Sequence, residues 1–217
     1  MKIIGINGSP RKKWNTGTLV SKALEGAASN GAETELIHLY DYDFKGCVSC
    51  FACKTRDGES YGKCAVKDDM TPVYKAIREA DGLILGSPIY FGDVSGEMRS
   101  FMERLLFPYL FYSFPPRTLY PKKINVGLIY TMNVPEDMVQ ERGYEPLFNH
   151  NEQVMKIIFG RARSLMSYDT YQFEDYSKMM AEGMDAERKK KRRKEIFPRD
   201  CEKAFEMGVK MAESSPD

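Results

Sequence analysis

The sequence holds two histidines, one tryptophan and no long apolar run. Two histidines as far apart as His38 and His150 do not make a His-rich metal centre. His38 sits among the apolar residues Leu36, Ile37 and Leu39 and reads as structural. The longest uncharged stretches, 105–116 and 124–135, have 12 residues each. A spanning helix needs about 20 apolar residues, so neither qualifies. Neither sign of charge dominates: 32 Lys and Arg face 31 Asp and Glu, a formal net of +1. That balance removes any global attraction to nucleic acid or to an anionic membrane. The first apolar run stops at Asn7, too soon for the core of a secretory signal. The expectation is a soluble cytoplasmic protein. Two nucleotide motifs are also missing. No Gly-Lys-Ser or Gly-Lys-Thr occurs, and Gly5 and Gly8 have the wrong spacing for G-x-G-x-x-G.

What is present begins at the first residues. The apolar run 2–6 feeds into Asn7-Gly8-Ser9-Pro10-Arg11-Lys12-Lys13-Trp14-Asn15-Thr16-Gly17-Thr18. This reads as a buried strand, a polar loop and a helix start. Unpaired N–H groups and the helix dipole favour an anion at such a start. Ser9, Thr16 and Thr18 add hydroxyls, Asn15 an amide and Arg11 a cationic fork. The set suits a terminal phosphate monoester. Ordinary capping residues on a strand–turn–helix are the plainer reading.

Strand and helix periods alternate along the chain. Strands are expected at 2–7, 35–39, 82–86, 124–130 and about 164–172. Helices are expected from Leu19, from Thr71-Pro72, over 94–106 and over about 150–162. Alternation implies right-handed crossovers and a parallel, doubly wound α/β sheet. Five strands suggest the flavodoxin-like order 2-1-3-4-5, with helices on both faces and a ligand where the winding reverses. At 217 residues the chain suits one domain with extensions. Residues 1–175 would form that domain and 176–217 a helical extension of it. The segment Ser87-Pro88-Ile89-Tyr90-Phe91-Gly92 would then lie beside the first loop, where it suits the edge of a flat heteroaromatic ring. The Phe-, Tyr- and Pro-rich stretch 106–121 reads equally as a self-packed loop and as a subunit contact or lid.

Four of the five cysteines fall within 18 residues, as Cys47-x2-Cys50-x2-Cys53 and then Cys64. In a cytosolic chain this spacing does not read as structural disulfides. Three readings stand: an iron–sulfur cluster, a four-cysteine zinc site, or free thiols in the loop 47–64. Cys201 reads as an ordinary thiol. The run Glu187-Arg188-Lys189-Lys190-Lys191-Arg192-Arg193-Lys194-Glu195 reads most simply as a solvated helix end. Nucleic acid, an acidic redox partner or the extra phosphate of NADPH are its sharper alternatives.

Taken in order, Ser9-Pro10-Arg11, Asn15-Thr16, the three close cysteines and Ser87 to Gly92 resemble the NADPH-dependent FMN reductase-like family. The cysteines resemble its iron–sulfur flavoprotein branch, although the ten-residue gap before Cys64 is longer than that branch uses. The resemblance covers roughly 1–135. It implies a flavodoxin-like fold, non-covalent FMN and a homodimer or homotetramer. It assigns the FMN phosphate to Ser9, Arg11, Asn15, Thr16 and Thr18. It assigns the isoalloxazine ring to Pro88, Ile89, Tyr90, Phe91 and Gly92, with Thr131, Met132 and Asn133 on the far side. Cys47, Cys50, Cys53 and Cys64 would hold a [4Fe-4S] cluster. The flavin would carry the chemistry, so no catalytic acid–base pair or nucleophile is expected. NAD(P)H would be the reductant. The partner would be a small acceptor or a ferredoxin-like redox protein, with no nucleic acid and no membrane.

Overall fold

The computed structural model describes residues 1–213. The last four residues of the expected extension 176–217 lie outside them. The centre is a parallel sheet of β1 (Lys2–Asn7), β2 (Glu33–His38), β3 (Gly82–Tyr90), β4 (Ile124–Thr131) and β5 (Gly160–Ser167), in the order β2-β1-β3-β4-β5. This is the flavodoxin-like arrangement expected from the alternating periods. A two-residue strand, Asp93–Val94, turns back antiparallel on the end of β3.

Burial follows position in the sheet. All of β4 and the first seven residues of β3 are buried, because both their faces are covered. The edge strands β2 and β5 are only partly buried. On one face lie α2 (Thr71–Glu79), α3 (Gly96–Leu106) and α4 (Glu145–Phe159), over a core that includes Ile4, Ile6, Leu83, Leu85 and Phe101. On the other lie α1 (Asn15–Ser29) and α6 (Phe197–Glu213), over Ile3, Ile84 and Ile129. α1 and α6 meet at glycines: a Cβ on Gly208 would fall 1.8 Å from the Ala23 carbonyl oxygen, and one on Gly26 2.0 Å from that of Phe205. The basic run forms α5 (Ala186–Glu195), capped by the Asp185 carboxylate on the Arg188 N–H.

Several boundaries differ from the sequence expectation: β3 runs on to Tyr90, so Ser87–Tyr90, expected as the loop after 82–86, is strand, and β2 spans 33–38 rather than 35–39. The fourth helix runs 145–159 rather than 150–162, opening at Pro146 and ending at Gly160 with φ +102°. The fifth strand therefore starts at Gly160 and stops at Ser167, not 164–172. Its opening, Gly-Arg-Ala-Arg, is charged because this is an edge strand, and that hid it from a search for apolar alternation. Residues 168–172 are loop, and this matters for the site.

Candidate functional site

β1 ends at Asn7 beside Gly86 and β4 at Thr131 beside Pro88, while β3 runs on between them to Tyr90. The loops leaving β1 and β3 are stitched together there. The Gly8 N–H donates to the Gly86 oxygen at 2.8 Å, and the Ser95 hydroxyl donates to the Gly8 oxygen at 2.6 Å. The fully buried Asn7 organises the turn: its Oδ1 accepts the Ser9 N–H at 3.1 Å, and its Nδ2 donates to His38 Nδ1 at 3.0 Å. An amide nitrogen only donates, so Nδ1 of His38 is unprotonated. Burial, and then Lys12, hold the His38 pKa below its ordinary value.

α1 starts without a side-chain cap and with no acidic residue in its first turn. Its positive end is left unneutralised, facing the loop. Gly17 permits the loop to lie against the helix, since a Cβ there would sit 1.8 Å from the Lys12 oxygen.

One cleft gathers Ser9, Arg11, Asn15 and Thr16 with Pro88, Ile89 and Tyr90, and with Thr131, Met132 and Asn133. Thr16 and Thr131 are joined hydroxyl to hydroxyl at 2.7 Å. Three expected residues lie outside its lining. The Thr18 side chain is one helical turn away, and its N–H closes the first turn on the Trp14 oxygen. Phe91 stands fully exposed with a left-handed φ of +51°, and Gly92 follows with φ +84°.

Sequence reading missed Trp14, Thr170 and Gln172, which also line the cleft. The last two belong to the loop after β5, and a strand placed at 164–172 concealed it. That loop grips the turn after β1 through its carbonyls. Arg11 Nη1 donates to the Gln172 oxygen at 2.6 Å, while Trp14 Nε1 and Asn15 Nδ2 donate to the Tyr171 oxygen at 3.0 and 2.8 Å. Desolvation pulls the Arg11 pKa below its ordinary value. Among the described residues no aspartate or glutamate lines the cleft.

The basic helix corrects a second expectation. Lys190, Lys191 and Lys194 are exposed, as a solvated helix end requires. Lys189 is 2% exposed, and its ammonium contacts the Asn133 side-chain oxygen (2.6 Å), the Asn133 backbone oxygen (3.2 Å) and the Asp169 carboxylate. Arg193 Nη1 donates to Asn15 Oδ1 at 2.8 Å, with its guanidinium over the rings of Trp14 and Phe197. Arg192 pairs with the buried Asp200 at 2.7 Å.

The four close cysteines line one small pocket together with Arg104 and Phe107. Cys47 and Cys50 are exposed, Cys53 is buried and Cys64 is half-buried. Burial pushes the Cys53 thiol pKa up. Arg104, whose side chain is 1% exposed, donates from Nε to Cys64 Sγ at 3.3 Å and grips Asp68 with both terminal nitrogens. Among the described residues no three His, Cys, Asp or Glu side chains stand at metal-ligating spacing. Beside this loop runs an apolar groove of about 480 Å³, walled by Phe51, Met102, Leu106, Tyr112 and Ile157.

Comparison with known proteins agrees with this geometry. Over 104 residues the chain is 47% identical to an iron–sulfur flavoprotein of Methanocaldococcus jannaschii, covering 48% of this chain and 51% of that one. It is 36% identical to the iron–sulfur flavoprotein of Methanosarcina thermophila over 104 residues, covering 48% and 52%. The chain spans about half the length of these curated relatives. In three dimensions it resembles the NAD(P)H:quinone oxidoreductase of Methanothermobacter marburgensis, with TM-score 0.71, 14% identity and 99% and 98% coverage. It also resembles the FMN-dependent NADH-azoreductase of Bacillus anthracis, with TM-score 0.66, 12% identity and 98% and 100% coverage. At those identities the likeness speaks for the fold. The sequence profile described as NADPH-dependent FMN reductase matches residues 1–124, more than half of the chain, and the protein therefore belongs to the NADPH-dependent FMN reductase family.

Proposed function

We propose that this protein is an FMN-dependent oxidoreductase that takes electrons from NAD(P)H and delivers them to a quinone, a flavin or a similar small acceptor. The observation that carries the reading is the meeting of the uncapped start of α1, the Pro88–Tyr90 end of β3 and the chain leaving β4 at Thr131–Asn133 in one cleft. The donor set there fits FMN: a guanidinium, hydroxyls, amides and first-turn N–H groups, with no carboxylate among the described lining residues to repel a phosphate. Ser9, Arg11, Asn15 and Thr16 would hold the phosphate. Hydrogen bonds to a charged group contribute about 1.5–3 kcal/mol each, so this end would dominate retention. Pro88, Ile89 and Tyr90 would border the ring on one side and Thr131 to Asn133 on the other. Bound FMN supplies chemistry that accepts electrons in pairs and releases them singly or in pairs. The residues of the chain bind it, orient it and limit water on its buried side.

The cysteine loop supplies the donor type of a thiolate-bound iron–sulfur group, since four cysteines line one pocket and a guanidinium lies on Cys64, although among the described residues no three stand at ligating spacing. Cys47, Cys50, Cys53 and Cys64 would be the ligands. A second reading is an electron carrier without substrate turnover of its own. It is favoured by the exposure of Cys47 and Cys50 beside an apolar groove, where a ferredoxin-like protein could dock. The assembly would be a homodimer or homotetramer, and the compartment the cytoplasm.

Anaerobic purification followed by a visible spectrum and iron, sulfide and zinc assays tests the cofactors. Flavin absorption and FMN release on denaturation support the reading. Colourless protein that takes up no added FMN overturns it. Steady-state NAD(P)H oxidation with quinone, nitroaromatic or free flavin acceptors separates reductase from carrier. A carrier turns over negligibly without a partner reductase.

A further inference from the structure

Two asparagines line the cleft, Asn15 on the phosphate side and Asn133 on the opposite wall. Each side-chain oxygen is tied to a cation of the same helix. Asn15 Oδ1 accepts from Arg193 at 2.8 Å, and Asn133 Oδ1 accepts from Lys189 at 2.6 Å. A primary amide has one acceptor end and one donor end, and guanidinium and ammonium groups only donate. A cation at the oxygen therefore decides which way the amide faces. Asn15 shows the consequence: its Nδ2 is turned to the Tyr171 oxygen at 2.8 Å, leaving its second N–H available. Both cations are themselves held. Arg193 lies over Trp14 and Phe197, while Lys189 is buried and paired with Asp169. The helix lies beyond the family match at 1–124.

We infer that α5 is an orienting clamp for the cofactor cleft: Arg193 and Lys189 hold the amides of Asn15 and Asn133 so that each presents its N–H end to the bound flavin nucleotide, Arg193 serving the phosphate. The inference rests on the FMN reading. Arg193 and Lys189 are positioning residues, since they act through the asparagines. Without Arg193 only the Tyr171 carbonyl still sets the Asn15 amide, so its orientation is held less strictly, and an oxygen turned toward the phosphate would repel it. The charge of Arg193 also leaves the neighbourhood of the anion. Riboflavin carries no phosphate, so its binding is insensitive to both effects.

The test titrates apoprotein with FMN and with riboflavin, following flavin fluorescence or heat, for the wild type, Arg193→Met and Arg193→Lys. The expected result is FMN binding weakened about tenfold or more in Arg193→Met, riboflavin binding within about twofold of wild type, and substantial recovery of FMN binding in Arg193→Lys. Asn15→Leu in the Arg193→Met background should add little further loss, because residues acting through one another are not additive. Unchanged FMN binding in Arg193→Met, or an equal loss for both flavins, overturns the inference. An equal loss with a lowered apoprotein melting temperature marks a structural role only. Wild-type protein that binds neither flavin instead overturns the FMN reading itself. Lys189→Met removes the second tether and should weaken binding of both flavins, because Asn133 lies on the ring side; unchanged binding there overturns that half of the inference.

Discussion

Asn7, Arg11 and His38 show how a few side chains assemble the turn after β1. Asn7 reads the backbone of Ser9 with its oxygen and the ring of His38 with its nitrogen, so the turn and the second strand are linked through one amide. Arg11 spends one nitrogen on the Gln172 carbonyl and keeps the rest of its fork at the cleft. Arg11→Ala combined with Thr16→Ala should weaken FMN binding by about a hundredfold, from two charge-assisted hydrogen bonds at about 1.5 kcal/mol or more each. Equilibrium dialysis measures it, and undiminished retention removes these residues from the phosphate site. His38 sets a pH dependence. Its folded pKa lies below the ordinary 6.5, so the unfolded chain takes up the proton first. The stability it contributes is fully present above about pH 6.5 and is lost as pH falls below that value toward the folded pKa. Urea midpoints at pH 7.5 and 5.5 should therefore differ less in His38→Gln than in the wild type. An identical difference in both removes His38 as the cause.

At the scale of elements, the contact between α1 and α6 holds the helix proposed to meet the phosphate. It depends on glycine because the two backbones nearly touch: Gly208 meets Ala23 and Ala27, and Gly26 meets Phe205. Gly208→Val should cost about 1–3 kcal/mol or more, since overpacking forces a backbone shift, and it should loosen FMN as α1 moves. Thermal melts with and without FMN check both effects, and a melting temperature within a degree of wild type contradicts the close approach. The central strands were legible in the sequence, because strands buried on both faces are near-continuous apolar runs. The edge strand β5 was not, because its exposed residues are charged. That one boundary hid the loop at 168–172, and with it Thr170 and Gln172 of the cleft.

Over the whole molecule, the two proposed cofactor sites lie toward opposite ends of α3. Ser95 at its start ties the cleft loops together, and Arg104 in its last turn faces the cysteine pocket. Removing one site should spare the other. Cys47→Ser combined with Cys50→Ser should abolish iron and labile sulfide while FMN content stays near wild type. Metal and flavin assays on one anaerobic preparation measure both, and iron retained in full contradicts the ligand assignment. The groove between the cysteine loop, α3 and α4 exposes Phe51, Tyr112 and Ile157 together, more apolar surface than scattered side chains present.

The sequence by itself determined the α/β class, the strand order and the two loops that meet at the reversal of winding. These follow from periodicity and chain connectivity, which are local or nearly local properties. It also showed the cysteine cluster, whose spacing is short enough to read directly. Only the tertiary structure decided what the basic helix does. A run of lysines and arginines is equally compatible with solvent and with partners, and burial of Lys189 or contact of Arg193 with Asn15 depends on a fold that brings residues 178 positions apart together. Long-range contacts of that kind leave no periodic trace in the chain. They exist because α6 packs on α1 and so brings the preceding helix up against Asn15 and Asn133.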